Sequence, residues 1–190
     1  EMSQMGKKEA SKFSKLGQNI TKQIEFSPKP IIAAINGYAL GGGCEFAMAC
    51  HIRYASENAI FGQPEVALGL IAGFGGTQRL PALIGKSQAL EMLLTGENIS
   101  ANEAKNRGLI NKVFQSNELM DSTIKLCKSI IQNAPISIHY TIKSVNNAIN
   151  HSSKGFAIET DLFSELFDKI DTKEGIEAFM SKRKPKFQNK

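Results

Sequence analysis

The stretch "NGYALGGGCEFAMAC", residues 36–50, sets three consecutive glycines against one glutamate and a compact apolar run. Glycine loses more backbone freedom on folding than any other residue, so three together are costly unless the backbone needs them. A phosphate-binding P-loop requires Lys followed by Ser or Thr after the last glycine, and Cys44-Glu45 stand there instead. A dinucleotide-binding turn requires a glycine at position 46, which is Phe46. A flexible linker is excluded by the buried-type segments that flank the glycines closely on both sides. What survives is a strand, a glycine turn and a helix. The first N–H groups of that helix lack internal partners and lie at the positive end of its dipole. Glycine lets a ligand oxygen approach them, which makes an oxyanion hole for a carbonyl that gains negative charge during reaction. Gly42, just inside the turn, is the candidate donor.

Outward from this stretch, "IIAAI" (31–35) predicts a short strand buried on both faces, and "CEFAMAC" predicts a buried helix. "IRYAS" and "AIFG" predict two further short strands around "SEN". Met2, Met5, Phe13, Leu16, Ile20 and Ile24 recur at helical spacing, predicting an amphipathic helix with Gly17 as its weak point and "SPKP" (27–30) as its stop. Residues 62–86 hold six glycines and read as loop. "SQALEMLLTG" predicts a helix capped by Ser87, and "SANEAKNRG" a capping box from Ser100 to Glu103 closed by Gly108. "LINKVF" predicts a strand, followed by helices over 118–132, 135–150, 154–169 and 172–184. The division is an α/β part over 1–115 and a helical part over 116–190. Phe156, Leu162, Phe163, Leu166 and Phe167 give the latter apolar faces that either a partner chain or the same chain can cover.

Bulk properties narrow the classes. With 42% hydrophobic and 22% charged residues, the chain is not disordered, and no apolar run is long enough to span a bilayer. Cys44, Cys50 and Cys127 form no CxxC pair, no HExxH pattern occurs, and only His51 adjoins a cysteine, which argues for apolar filler rather than a metal site. The net charge of +5 resides in the last ten residues, "SKRKPKFQNK", whose removal leaves 18 basic against 18 acidic side chains. Such a tail is either solvated or meets phosphate.

Two acids stand out. Glu45 is surrounded by Cys44, Phe46, Ala47 and Met48, a poor setting for a solvated carboxylate. Glu65 lies in "FGQPEVALG" among Val66, Leu68 and Leu70. Either acid can be a surface residue; together beside an oxyanion hole they can serve as general base and general acid.

These residues carry a family resemblance. "NGYALGGGCE", "FGQPE", "GGTQRLP", "LTG" and the A..A...GL.N.V spacing, in this order, resemble the enoyl-CoA hydratase (crotonase) family over residues 1–190. The resemblance implies an α/β fold, a crotonase-like ββα superhelix, with a C-terminal helical trimerisation region that forms a homotrimer or dimer of trimers. It implies an acyl-CoA thioester substrate, with coenzyme A entering as part of that substrate and no permanently bound cofactor. The two glutamates that hold the added water fall on Glu45 and Glu65, and the N–H that binds the thioester oxygen falls on Gly42. Gly73 matches a glycine whose N–H contacts that water, while Phe179 and Lys182 match residues reaching the CoA of a neighbouring subunit. Both acids together favour hydration of a trans-2-enoyl-CoA over double-bond isomerisation. An isomerase of the same fold and a hydratase homologue that also binds RNA are the rival readings. The address implied is the cytoplasm of a bacterium or the mitochondrial matrix of a eukaryote.

The sequence also departs from the family pattern. Family members carry a segment before the counterpart of residue 1, with early strands, the second oxyanion-hole N–H and much of the adenine-binding surface. The expectation is therefore an N-terminally incomplete superhelix, and a 190-residue chain that alone folds poorly and hydrates crotonyl-CoA weakly. Ala72 stands where proline is frequent, loosening a turn, and His51 where aspartate is frequent, with a structural rather than catalytic role.

Overall fold

The computed structural model describes residues 5–148, 160–161 and 163–190. They divide into two compact units: one holds the chain up to Glu25 together with Ile31–Thr123, the other Phe26–Pro30 and Ile124–Lys190.

The first unit is a spiral in which each turn lays down two short strands. β1 (Ile32–Ile35), β3 (Ile52–Ser56) and β6 (Lys112–Phe114) pair in parallel as one sheet, with Ile32 opposite Ile52 and Ala55 opposite Val113. β2 (Tyr38–Leu40) and β4 (Ile60–Gly62) pair in parallel in a second sheet, and β5 (Asn98–Ser100) adds antiparallel to β4. The "NG" at 36–37 turns the chain from the first sheet to the second, so the apolar run splits into β1 and the unforeseen β2. β1 is half-buried along its length rather than buried on both faces.

Four helices fill the spiral: α2 (Gly42–Ala49), α3 (Gly76–Ile84), α4 (Lys86–Thr95) and α5 (Ala101–Asn106). Cys44, Met48, Phe61, Leu80, Met92 and Leu109 pack in one buried core. A helix at 76–84 was hidden by its glycines and by Pro81; the spacing of buried Leu80 and Ile84 fits it. α4 begins one residue before Ser87 and has Gly85 as its N-cap, so Ser87 does not cap it. At α5 the expected cap forms: the Ser100 side chain accepts the Glu103 N–H at 3.2 Å, and Gly108 follows with φ 87°.

α1 (Lys7–Glu25) is a helix as expected, yet it is turned the other way. Its buried residues are Gly17 and Thr21, while Phe13, Leu16 and Ile20 are exposed, Leu16 by 58%. Gly17 is no weak point. A Cβ there would run into the Phe74 ring, so glycine lets α1 approach the 73–76 loop.

In the second unit, α7 (Pro135–Ala148) and α8 (Ile170–Met180) are helical, and the boundary between the units falls within α6 (Leu119–Ile130). Of the helix expected over 154–169, only residues 160–161 and 163 onward are described; Phe156 and Leu162 lie outside. Phe163 and Phe167 are exposed and pack edge-to-face with centroids 5.3 Å apart. The basic tail folds back on α8. Asp171 accepts the N–H groups of Gln188 and Asn189 at 2.6 and 2.8 Å, and Glu174 accepts that of Lys186 at 2.7 Å.

Candidate active site

Because β2 and β4 are parallel neighbours, with Leu40 opposite Gly62, the chain leaves both strands at the same end. Gly41 follows one, and Gln63-Pro64-Glu65 follow the other. Topology therefore brings Glu45 and Glu65 to one place.

Gly41 is the hinge of this arrangement. Its φ of 50° and ψ of −123° suit only glycine, and it is the N-cap of α2. Its N–H donates to Gly62 O at 2.9 Å, and its carbonyl accepts from Glu45 N at 3.0 Å and from Gln63 Nε2 at 3.2 Å. A Cβ on Gly41 would stand 2.9 Å from Glu65 Oε1, so Glu65 lies directly over the turn. The next N–H groups, starting with Gly42, belong to the first helical turn and have no acceptor within the helix. The Phe74 ring walls this corner, 3.3 Å from where a Gly42 Cβ would be.

Glu45 is 2% exposed. Its Oε1 accepts two backbone N–H groups, from Phe74 and Gly76, both at 2.7 Å. The same α2 residue that begins as a helical glutamate is thus wired into the 73–76 loop of the following turn. Gly76 makes room for the wiring: a Cβ there would lie 3.0 Å from Glu45 Oε1, 3.0 Å from Gln63 Oε1 and 2.9 Å from the Ala72 methyl.

Glu65 sits in a 3-10 turn, Pro64–Leu68, with no fully buried residue. Its Oε2 is nonetheless buried without a hydrogen-bond partner among the described residues. Burial pushes its carboxyl above the ordinary range, with the charge of Glu45 adding to the rise and a backbone hydrogen bond opposing it. One carboxyl is therefore held as a double acceptor, and the other is biased toward its protonated form.

Beside Glu65 opens a cavity of about 460 Å³, walled by Val66, Ile71, Leu90, Leu93 and Leu94 with Gln63 at its inner side. Most of its wall is apolar and suits an apolar chain, with Glu65, Thr77 and Lys86 as further lining residues. Gly73 lies in the loop that grips Glu45; its carbonyl is taken by Ser14 Oγ at 2.7 Å and Gln18 Nε2 at 3.2 Å. Lys182 lies in the turn after α8 with φ 53°, and Phe179 belongs to α8, its side chain outside the described residues. Both are in the second unit.

Other candidates settle into structural roles. Burial pushes the Cys44 thiol up to about 11, so it is an inert filler that touches Gln63. His51 ties down the start of β1: its ring Nδ1 accepts the Ile31 N–H at 2.9 Å, and its backbone N–H donates to Ile31 O at 2.9 Å. Among the described residues no group of three His, Cys, Asp or Glu side chains is arranged to hold a metal ion. Within "FGQPE" and "GGTQRLP", three residues went unassigned in the sequence: Gln63, which braces Gly41; Gly76, which holds Glu45; and Arg79, which reaches back over the loop. The doubled glycine was the available signal for Gly76.

The family model for enoyl-CoA hydratase/isomerase matches residues 1–190. The short-chain-enoyl-CoA hydratase of Clostridium acetobutylicum is 44% identical over 185 residues, which is 97% of this chain and 71% of that protein. The mitochondrial enoyl-CoA hydratase of Pongo abelii is 46% identical over 181 residues, covering 95% of this chain and 61% of that one. A crystal structure of enoyl-CoA hydratase from Bacillus anthracis matches with a TM-score of 0.95 at 36% identity, covering 99% of this chain and 73% of that one.

Proposed function

The chain belongs to the enoyl-CoA hydratase/isomerase family, and on that premise we propose that it hydrates trans-2-enoyl-CoA thioesters to 3-hydroxyacyl-CoA. The observation that supports this most is the pair of carboxyls in opposite settings at one helix N-terminus. Glu45, gripped through Oε1, keeps its other oxygen for a water molecule and takes a proton from it. The water oxygen bonds to C3 while the C2–C3 double bond breaks. Glu65, protonated, then delivers a proton to C2, so that one water is added across the bond. The Gly42 N–H stabilises the thioester oxygen as it gains enolate character, and Gly73 N–H orients the water. Coenzyme A arrives with the substrate and activates it as a thioester, so the residues need supply only protons and hydrogen bonds.

The apolar cavity beside Glu65 is the place for the acyl chain. Phe179 and Lys182 would meet the CoA of a neighbouring subunit in a trimer. No helix among the described residues is long and apolar enough to cross a membrane.

The test is Glu45→Gln in the intact protein assayed with crotonyl-CoA. Hydration should fall about a thousandfold, because the amide cannot accept the water proton. Turnover within tenfold of wild type overturns the assignment. Product analysis separates the isomerase reading, since only hydration yields the 3-hydroxy compound.

A further inference from the structure

The loop that grips Glu45 is itself gripped from behind by α1. A trans peptide is planar, with its carbonyl and its N–H pointing in opposite directions. In the Gly73–Phe74 peptide the N–H faces Glu45 Oε1 at 2.7 Å, while the carbonyl faces Ser14 Oγ at 2.7 Å and Gln18 Nε2 at 3.2 Å. Fixing the carbonyl fixes the direction of the N–H. One residue on, the Phe74 carbonyl accepts from Thr21 Oγ1 at 2.9 Å and from Arg79 Nη1 at 3.0 Å. Arg79 is held in turn by Glu25 Oε2 at 2.8 Å, with both side chains mostly covered. The Gly75 carbonyl is occupied by the Gln78 and Arg79 N–H groups, which directs the Gly76 N–H toward Glu45.

Ser14, Gly17, Gln18 and Thr21 fall at positions i, i+3, i+4 and i+7, so they form one stripe on α1. This polar stripe faces inward while Phe13, Leu16 and Ile20 stay exposed, an inversion that ordinary core packing does not call for. We infer that the stripe exists to aim the base: Ser14, through the Gly73–Phe74 peptide, and Thr21 with Arg79, by pinning the Phe74–Gly75 peptide that joins the two donor peptides, are positioning residues for Glu45. None of them lines the cavity beside Glu65. They act on the reaction by holding the two N–H groups in register with one carboxylate oxygen. The inference rests on the hydratase reading for its kinetic consequence, and on the hydrogen bonds alone for its structural one.

The experiment uses Ser14→Ala and Thr21→Val in the intact protein, with Ser14→Thr and Thr21→Ser as conservative partners. Each truncation should lower kcat for crotonyl-CoA about tenfold, the rate equivalent of one lost hydrogen bond, with KM changed less than about twofold. The conservative variants, which keep the hydroxyl, should recover most of the loss. In a Glu45→Ala background the same truncations should cost nothing further, since residues acting through one group are not additive. Amide hydrogen exchange at Phe74 and Gly76 should quicken in the truncations while the melting temperature and the exchange of core amides stay near wild type. Equal losses with and without Glu45, or a change confined to KM, overturn the kinetic role. Unchanged exchange at Phe74 and Gly76 overturns the inference outright, and that measurement decides it even if the wild-type protein fails to hydrate crotonyl-CoA.

Discussion

Glu45 and Glu65 leave neighbouring parallel strands at the same end, yet the loops that hold them are built on opposite plans. Around Glu45 the backbone is held from both sides: two N–H groups on Oε1, and behind them carbonyls taken by Ser14, Gln18, Thr21 and Arg79. Around Glu65 there is a short 3-10 turn, exposed Leu68 and Leu70, and a carboxylate oxygen with no partner among the described residues. In the mechanism proposed above the base must keep one geometry from start to finish, so rigidity serves it. An acid that hands over its proton must be poised between two states, and a sparse, partly buried setting provides that.

Glu65→Gln breaks the contrast hardest. The amide cannot donate a proton of comparable acidity, so kcat should drop about a thousandfold in the crotonyl-CoA assay. Wild-type activity should decline as pH rises through the raised pKa of Glu65, because the proton donor is lost there. The stability sign follows from the same shift. A carboxyl whose folded pKa lies above its ordinary value of 4.5 weakens the fold as pH climbs past that value. Glu65→Gln should therefore melt slightly above wild type at neutral pH, with the gain disappearing below about pH 4.5. A variant less stable than wild type at neutral pH would contradict the loosely held picture.

Gly76→Ala attacks the other loop. The new methyl would press on Glu45 Oε1, Gln63 Oε1 and Ala72 together, at 2.9 to 3.0 Å. Displacing the base by a fraction of an ångström should cost about a hundredfold in kcat, and overpacking about 1–3 kcal/mol in chemical denaturation. A near-neutral result would mean that the loop yields.

Glu174→Gln is the smallest expected effect and serves as a control. Glu174 is wired as thoroughly as Glu45, to both terminal nitrogens of Arg183 and to the Lys186 N–H, and the Arg183 hydrogen bond holds it down to about 2. It lies at the surface, however, beside an Arg183 side chain that is 39% exposed, and salt screens the pair. The substitution should hasten proteolysis of residues 183–190 and leave the melting temperature within about 1 °C of wild type. A large loss would show that wiring at the surface matters as much as wiring in the core.

Much of this was legible in the sequence, and the reasons differ by element. The glycine turn and the short strands around "SEN" could be read because local backbone demands and apolar runs announce them. Both acids announced themselves by sitting among apolar neighbours. β2 and β5 were missed because "YAL" is hemmed between glycine turns and "NIS" holds one apolar residue, so pairing rather than an apolar run defines them. α3 was missed because Pro81 and two glycines outweighed the Leu80–Ile84 spacing. The inward face of α1 was misassigned because hydrophobicity ranks Phe13 and Leu16 above Ser14 and Thr21, whereas buried carbonyls of another loop decided the matter. That kind of demand is tertiary and leaves no local trace.

The parallel pairing of β1 with β3 and β6 has one more consequence, in time rather than in space. Ile35 finds Ala55 across 20 residues, and Ala55 finds Val113 across nearly three times that distance in sequence. Contacts so distant along the chain must close long loops before they gain anything, which slows the search. The two acids come from successive coils, so neither can be set until the second coil has docked on the first. Catalytic competence is then among the last properties the folding chain acquires, well after its helices have formed.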